Sequence, residues 1–450
     1  MEYLGSALQI QFNRNKGVSV METQTQAGKI VSYTYGIMIA AVVVLCLILT
    51  FYFTSDGFAA QQLKAESEAQ QAELKTKSAA ELAEIINPLS LGKRPGRGPQ
   101  QDRVLAAILQ LGEEENDLDQ RIEGIATAGN ISDTEYAAAA QIAIKKLGGV
   151  SLDRLKAMLE SGDLEQVSQA VICVKMLGED AGVLVPQLIE LIESGDLQIA
   201  RYGVFAIQNM GASAAPAVEA FGEVIHSLDF NAQIMISKAV IGIGRDAAPI
   251  ADDLAEIYEK GNISARSWAG IALGAIGPIE NFDTAKMLGD RVTAFNHVDK
   301  TRALAGLALM GDEGASQQEV IKAAMNDPKG RVRPQAAYAY YRVTDETETP
   351  VKTLLEMLPS RTYSSDALKF LRMMGPDAKA AIPAVRKLLN NDSVAIRESA
   401  VLVLGNMGAA ASEEIANIRK LASDSDPLLR QAVEQAVAAI ENDMAKEKAE

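Results

Sequence analysis

The chain has 450 residues, 48% of them hydrophobic but 5% aromatic, with 34 Gly, 2 Cys, 2 His and a net charge of −16. Two cysteines exclude a disulfide-dense scaffold, two histidines exclude a His-rich metal centre, and ordinary hydrophobicity with 14 Pro excludes a disordered chain. The 70 alanines suit closely packed helices better than a core built on rings.

Residues 1–32 form an N-terminal tail. From Gly36 to Phe53 the 18 residues carry no charge, with Tyr33, Tyr35 and Tyr52 at the ends. Extended to 33–53, the segment would make a helix of about 31 Å, the thickness of a bilayer core. It predicts a single transmembrane helix in contact with lipid. Arg14, Lys16 and Lys29 precede it, and Lys64 alone follows nearby. The positive-inside rule therefore puts the N-terminus in the cytoplasm and the body outside it, periplasmic in a bacterium. A start at Met21 would weaken that asymmetry.

Residues 54–86 read as a polar helical stalk. Leu63, Leu74 and Leu82 keep no heptad, so no coiled coil is expected. Residues 87–100 hold three prolines, three glycines and Lys93, Arg94 and Arg97, a basic linker. The remaining residues carry −17, which disfavours nucleic acid as a partner.

Residues 101–442 repeat themselves. Glu160-Ser161-Gly162-Asp163-Leu164 returns 33 residues later as Glu193-Ser194-Gly195-Asp196-Leu197, and the step continues to Asp229 and Asn262. A looser series runs through Asn296, Asp327, Ser360, Asp392 and Asp426, all residue types that cap helix N-termini. Asp327-Pro328 and Asp426-Pro427 would place proline at the first helical position. Gly178, Gly211, Gly244, Gly277, Gly311, Gly375 and Gly408 fall 15 or 16 residues after a cap and mark helix ends, expected in the left-handed conformation. A shorter amphipathic helix follows each glycine. Each unit is a helix pair that buries its apolar face only against neighbours. A short tail, 443–450, ends the chain.

These units resemble HEAT repeats, of the short type shared with phycobilin lyase subunits. The residues that carry the likeness are Gly178…Ala181…Pro186, Gly211…Ala214…Pro216, Gly244…Ala247…Pro249 and Gly375…Ala378…Pro383. Arg201, Arg266, Arg331, Arg397 and Arg430 stand at the basic position of that repeat. Lys300 replaces it in one unit, and Val167, Gln233 and Ser364 interrupt it in others. The resemblance implies an all-α, right-handed α-solenoid of about ten helix pairs whose second helices line a concave, protein-binding face.

No nucleophile motif, phosphate loop or metal-ligand spacing stands out, and no cofactor is expected. Gly242-Ile243-Gly244 reads as a helix end, Cys173 as a buried thiol, Cys46 as part of the apolar run, and His226 and His297 as residues near helix ends. One local cluster differs. Tyr338, Tyr340, Tyr341 and Tyr363 accompany Arg331, Arg333, Arg342 and Arg361, residue types that interface hot spots favour. The alternative is that these tyrosines fill space in an irregular unit. The expectation is a non-enzymatic, membrane-anchored scaffold that binds a protein or membrane complex. The alternative activity, implied only by the repeat type, is a bilin-lyase-like or other enzyme-accessory role.

Overall fold

The structure, a computed structural model, describes residues 69–448 except 70, 90–98, 114–115, 132–133, 295 and 425. The described residues fall into two units, divided between Lys77 and Ser78. In the first, residues 71–75 are helical.

The second unit begins with a cap. Ser78 and Glu81 exchange bonds between side chain and backbone, Ser78 N–H to Glu81 Oε2 at 2.9 Å and Glu81 N–H to Ser78 Oγ at 3.3 Å. This capping box starts α1 (Ala79–Ile86), whose Ala79, Leu82 and Ile86 are buried. The helical stalk expected over 54–86 is therefore broken at 76–78, and its last eight residues form part of the helical body.

Ten helix pairs follow among the described residues. The first two are α2 (Pro99–Leu111) with α3 (Leu118–Gly129), then the two halves of α4 (Thr134–Leu159), which kinks at Gly148. Next come α5 (Leu164–Leu177) with α6 (Val185–Ile192), α7 (Leu197–Ile207) with α8 (Val218–Val224), and α9 (Phe230–Ile243) with α10 (Ala251–Lys260). They continue as α11 (Ile263–Ile276) with α12 (Thr284–Val292), and α13 (His297–Met310) with α14 (Gln318–Ala324). The last pairs are α15 (Val332–Thr344) with α16 (Glu348–Met357), α17 (Ser364–Met374) with α18 (Ile382–Leu388), and α19 (Val394–Asn406) with α20 (Ile415–Arg419). A single long helix, α21 (Pro427–Glu447), ends the array and runs through residues expected as a tail. Its Asp443 accepts the Ala409 amide at 2.9 Å.

The described residues from Ser78 onward thus form an all-helical solenoid, and its caps show how far the repeat pattern holds. Asp163, Asp196, Asp229, Asn262, Asn296 and Asp426 each accept a backbone amide at a helix start. Asp327, Ser360 and Asp392 do not cap. In the Asp327 unit the chain turns through Lys329 and Gly330, and α15 starts at Val332, so Pro328 is not its first residue. Tyr363 and Ser393 occupy the cap positions of α17 and α19 without a side-chain bond.

All seven glycines expected at helix ends have positive φ, but at the five that directly close a helix, Gly178, Gly244, Gly277, Gly311 and Gly375, the ψ values correct the left-handed expectation. Gly178 has φ 61° and ψ −128°. That region is closed to side chains more strictly than the left-handed well. In six units a seven-residue 3₁₀ turn, such as Gly178–Leu184, then delivers the chain to the second helix. Its fourth residue is small and sealed inside: Ala181, Ala214, Ala247 and Ala378 are 0% exposed. Gly148, with φ 54° and ψ −137°, has the same conformation inside α4 and marks one more helix pair.

Long helices of successive units pack directly on one another, and most short helices pack on the long helix that follows them. At α11 and α13 the approach is closest. A Cβ on Gly274 would meet the Gly306 backbone, and one on Gly306 would meet the Gly270 carbonyl. Ion pairs then tie each unit to the next: Arg201–Asp229 at 3.1 Å, Arg266–Asp299 at 2.9 Å, Lys300–Asp327 at 2.6 Å and Arg397–Asp424 at 2.8 Å. Arg331 is exposed, so the row is interrupted there.

The expected single-pass placement, with an extracytoplasmic body, is corrected here. Among the described residues no helix is long and apolar enough to cross a membrane. The two longest, α4 with 26 residues and α21 with 21, carry charged residues such as Lys145, Lys146, Arg430 and Glu434. The apolar run at 33–53, including Cys46, and the tail before it lie outside the described residues.

Two outcomes follow. Gly274→Ala should cost about 2–3 kcal/mol by overpacking, whereas Gly149→Ala, where a Cβ meets nothing within 4 Å, should gain about 0.5–1 kcal/mol; chemical unfolding measures both. The second concerns Glu414, which is 1% exposed. Burial raises its carboxyl, but hydrogen bonds from Arg386 and Asn417 and the Arg386 charge outweigh this and hold it below the ordinary range. Its contribution is complete above the ordinary value of about 4.3 and is lost as pH falls through the lower folded value. The stability gap between the natural chain and Glu414→Gln should therefore shrink on acidification from neutral pH; a pH-independent gap would contradict it.

Candidate protein-interaction surface

The clustered tyrosines and arginines separate once α15 is formed. Successive residues turn by about 100° on a helix, so neighbours in sequence face different ways. Tyr338 and Tyr340 are each 8% exposed. Tyr338 stacks on Phe370 of α17, ring centroids 5.2 Å apart, and its neighbour Tyr341 donates its hydroxyl to Asp377 Oδ2 at 2.6 Å. Partial burial, then that bond and the Asp377 charge, push the Tyr341 hydroxyl up to about 12. Tyr340 faces the other way, with Lys322 of α14 at 5.8 Å from its ring. Arg333 donates to the Met325 carbonyl at 2.8 Å and to Glu356 at 3.2 Å. The Tyr363 ring covers Gly330, where a Cβ would collide with it. Arg331, Arg342 and Arg361 remain exposed. The structure brings Tyr338 and Tyr341 together at an inter-unit joint and leaves three arginines on the surface.

A second constellation has no sequence clustering. On α5, α7, α9, α11 and α13 the half-buried side chains Lys175, Phe205, Lys238, Trp268 and Arg302 form a row that runs from one long helix to the next. Lys175 Nζ lies 3.9 Å from the centre of the Phe205 ring. Trp268, the one tryptophan in the sequence, takes Lys238 Nζ at 4.8 Å from one neighbouring helix and Arg302 Cζ at 4.4 Å from the other. Such contacts contribute about 0.5–2 kcal/mol each, more as water is excluded. Burial, with the nearby Lys238 charge, lowers the Lys175 ammonium, and burial lowers the Arg302 guanidinium.

Charge divides between the two helix sets. These five long helices carry six basic residues and two acidic ones, Glu165 and the buried Asp299. The short helices α6, α8, α10, α12 and α14, with the 3₁₀ turns before them, carry fourteen acidic against five basic residues. Of the six basic residues, Arg201, Arg266 and Lys300 pair with carboxylates. Lys175, Lys238 and Arg302 have no carboxylate partner among the described residues; the rings are their neighbours.

The other candidates do not converge. Burial pushes the Cys173 thiol up, which makes it inert. His226 Nε2 meets Asp253 at 2.9 Å on an exposed face. A surface recess of about 400 Å³ beside α12 and α14 is walled by Lys300 and Asp327, which satisfy each other. Among the described residues no group of three His, Cys, Asp or Glu is placed to hold a metal.

No family model and no curated protein matches the chain. Solved structures with a similar helical course include an engineered protein, at 16% identity and TM-score 0.39 over 80% of this chain and 98% of that one. Kap121p bound to Pho4p matches at 13% identity and TM-score 0.40, over 81% of this chain and 45% of that one. The karyopherin Kap121p bound to the extreme C-terminus of the protein phosphatase Cdc14p matches at 13% and 0.39, over 82% and 46%. This chain therefore spans about half the length of the Kap121p chains it matches.

Within the tyrosine cluster the roles should separate on mutation. Tyr338→Ala should cost about 3–4 kcal/mol through lost burial and stacking, and Tyr341→Phe about 1 kcal/mol through one hydrogen bond. Arg331→Ala should leave the unfolding midpoint unchanged. Equal effects from all three would contradict this division.

Proposed function

We propose that the chain is a non-enzymatic protein-interaction scaffold whose partner lies along the outer side of its long helices. The observation that carries this reading is the row of half-buried aromatic and cationic side chains shared by five consecutive long helices, whose cations Lys175, Lys238 and Arg302 meet rings and no carboxylate among the described residues. Trp268 beside Arg302 is the pairing that binding hot spots favour. A repeated surface of this kind spreads recognition over many small contacts, and its geometry follows from stacking alone. Arg331, Arg342 and Arg361 extend the proposed contact area beyond α13, since all three are exposed and none holds the fold.

Crosslinking of the full-length chain in cells, followed by identification of attached proteins, tests the scaffold role. A reproducible partner is expected, and the combined change R331E/R342E/R361E should weaken its capture about tenfold without altering the thermal midpoint. A chain that crosslinks to nothing and migrates as a monomer would contradict the reading.

A further inference from the structure

The geometry points to an extended acidic polypeptide segment as the occupant of the outer face of α5 to α13: its carboxylates meet Lys175, Lys238 and Arg302, and its apolar side chains meet Phe205 and Trp268. This names the partner class for the surface proposed above and rests on that reading.

Charge complementarity is the main support. In a chain of net −16, three cations stand on the one helix set nearly free of acid, and they lack a carboxylate of their own among the described residues. A half-buried cation has lost part of its hydration, and a ring returns only a fraction of that. A carboxylate arriving from outside completes the pairing. Trp268 is the chain's sole tryptophan, and it stands half-buried beside Lys238 and Arg302 on this face instead of in the core.

The spacing sets the form of the ligand. Lys238 Nζ and Arg302 Cζ lie 4.8 and 4.4 Å from the centre of the same Trp268 ring, so the two cations stand no more than about 9 Å apart. An extended chain covers that in about three residues at roughly 3.3 Å each. The matching segment has acidic residues about three apart, with an apolar residue between them beside Phe205 or Trp268. A nucleic acid fits poorly, because the acidic side of the body repels a polyanion.

The test uses the full-length chain and a synthetic peptide of about seven residues, Glu at its ends and centre, Leu between them, in a Gly/Ser background. Trp268 emission reports binding directly, because no other tryptophan contributes. The expected result is a saturable emission change that weakens with salt and is absent for the same peptide with Lys in place of Glu. Lys175→Glu acts three helices away from the probe and should weaken the apparent affinity about tenfold. Lys260→Glu, on the acidic side, should leave it unchanged, and circular dichroism confirms that both variants fold. No saturable change, equal effects of the two variants, or stronger binding of a twelve-nucleotide single strand than of the peptide would overturn the proposal. If K175E also keeps its full set of crosslinked partners, this seat falls while the scaffold reading stands. If peptide binding is saturable but no partner is crosslinked in cells, the seat stands and the scaffold role falls.

Discussion

Two short helices cannot bury their own apolar sides, and that constraint shapes every part of this chain. The short helices, such as α6 and α10, are apolar along one side only, but α9 and α11 are apolar or small nearly all round. A helix of that kind needs neighbours on several sides. Here it takes the preceding long helix, the following one, and a short helix or 3₁₀ turn beside them. Alanine and glycine at the joints let backbones approach, most closely where Gly270, Gly274 and Gly306 meet. The fold therefore propagates from unit to unit, with no separate centre.

Stacking sets half-buried cations of the long helices against rings on the neighbouring long helices. The acidic residues concentrate on the short helices and the 3₁₀ turns before them. The long helices spend half of their cations on pairs with neighbouring units, such as Arg266–Asp299, and hold the other half against rings. The result is a chain that is strongly acidic in sum and locally basic and aromatic on one face. Net charge alone conceals this.

The architecture was legible because caps and glycines are local signals. Six cap residues and five of the seven helix-closing glycines expected from the spacing hold their places, and Gly211 and Gly408 keep positive φ just past the helix end. The 3₁₀ turns were not legible, since ordinary small residues build them and their form depends on the ψ of the glycine before. Gly148 escaped because it lies 30 residues before Gly178, off the regular step. The Tyr338–Tyr363 cluster shows the converse: proximity in sequence placed side chains on opposite sides of one helix. The cation and ring row had no fixed period to reveal it. Its members stand 12, 9, 9, 6 and 6 residues after Asp163, Asp196, Asp229, Asn262 and Asn296, because the row slants across the stack.

The central claim is that the outer side of the long helices is an accessible, positively charged aromatic face on a negatively charged protein. Collisional quenching of Trp268 emission measures this directly in the free chain. The account predicts that iodide quenches more strongly than caesium at equal ionic strength, and that the difference collapses in K238E/R302E. Stronger quenching by caesium, as the net charge of −16 alone would suggest, or protection from both ions, would contradict it.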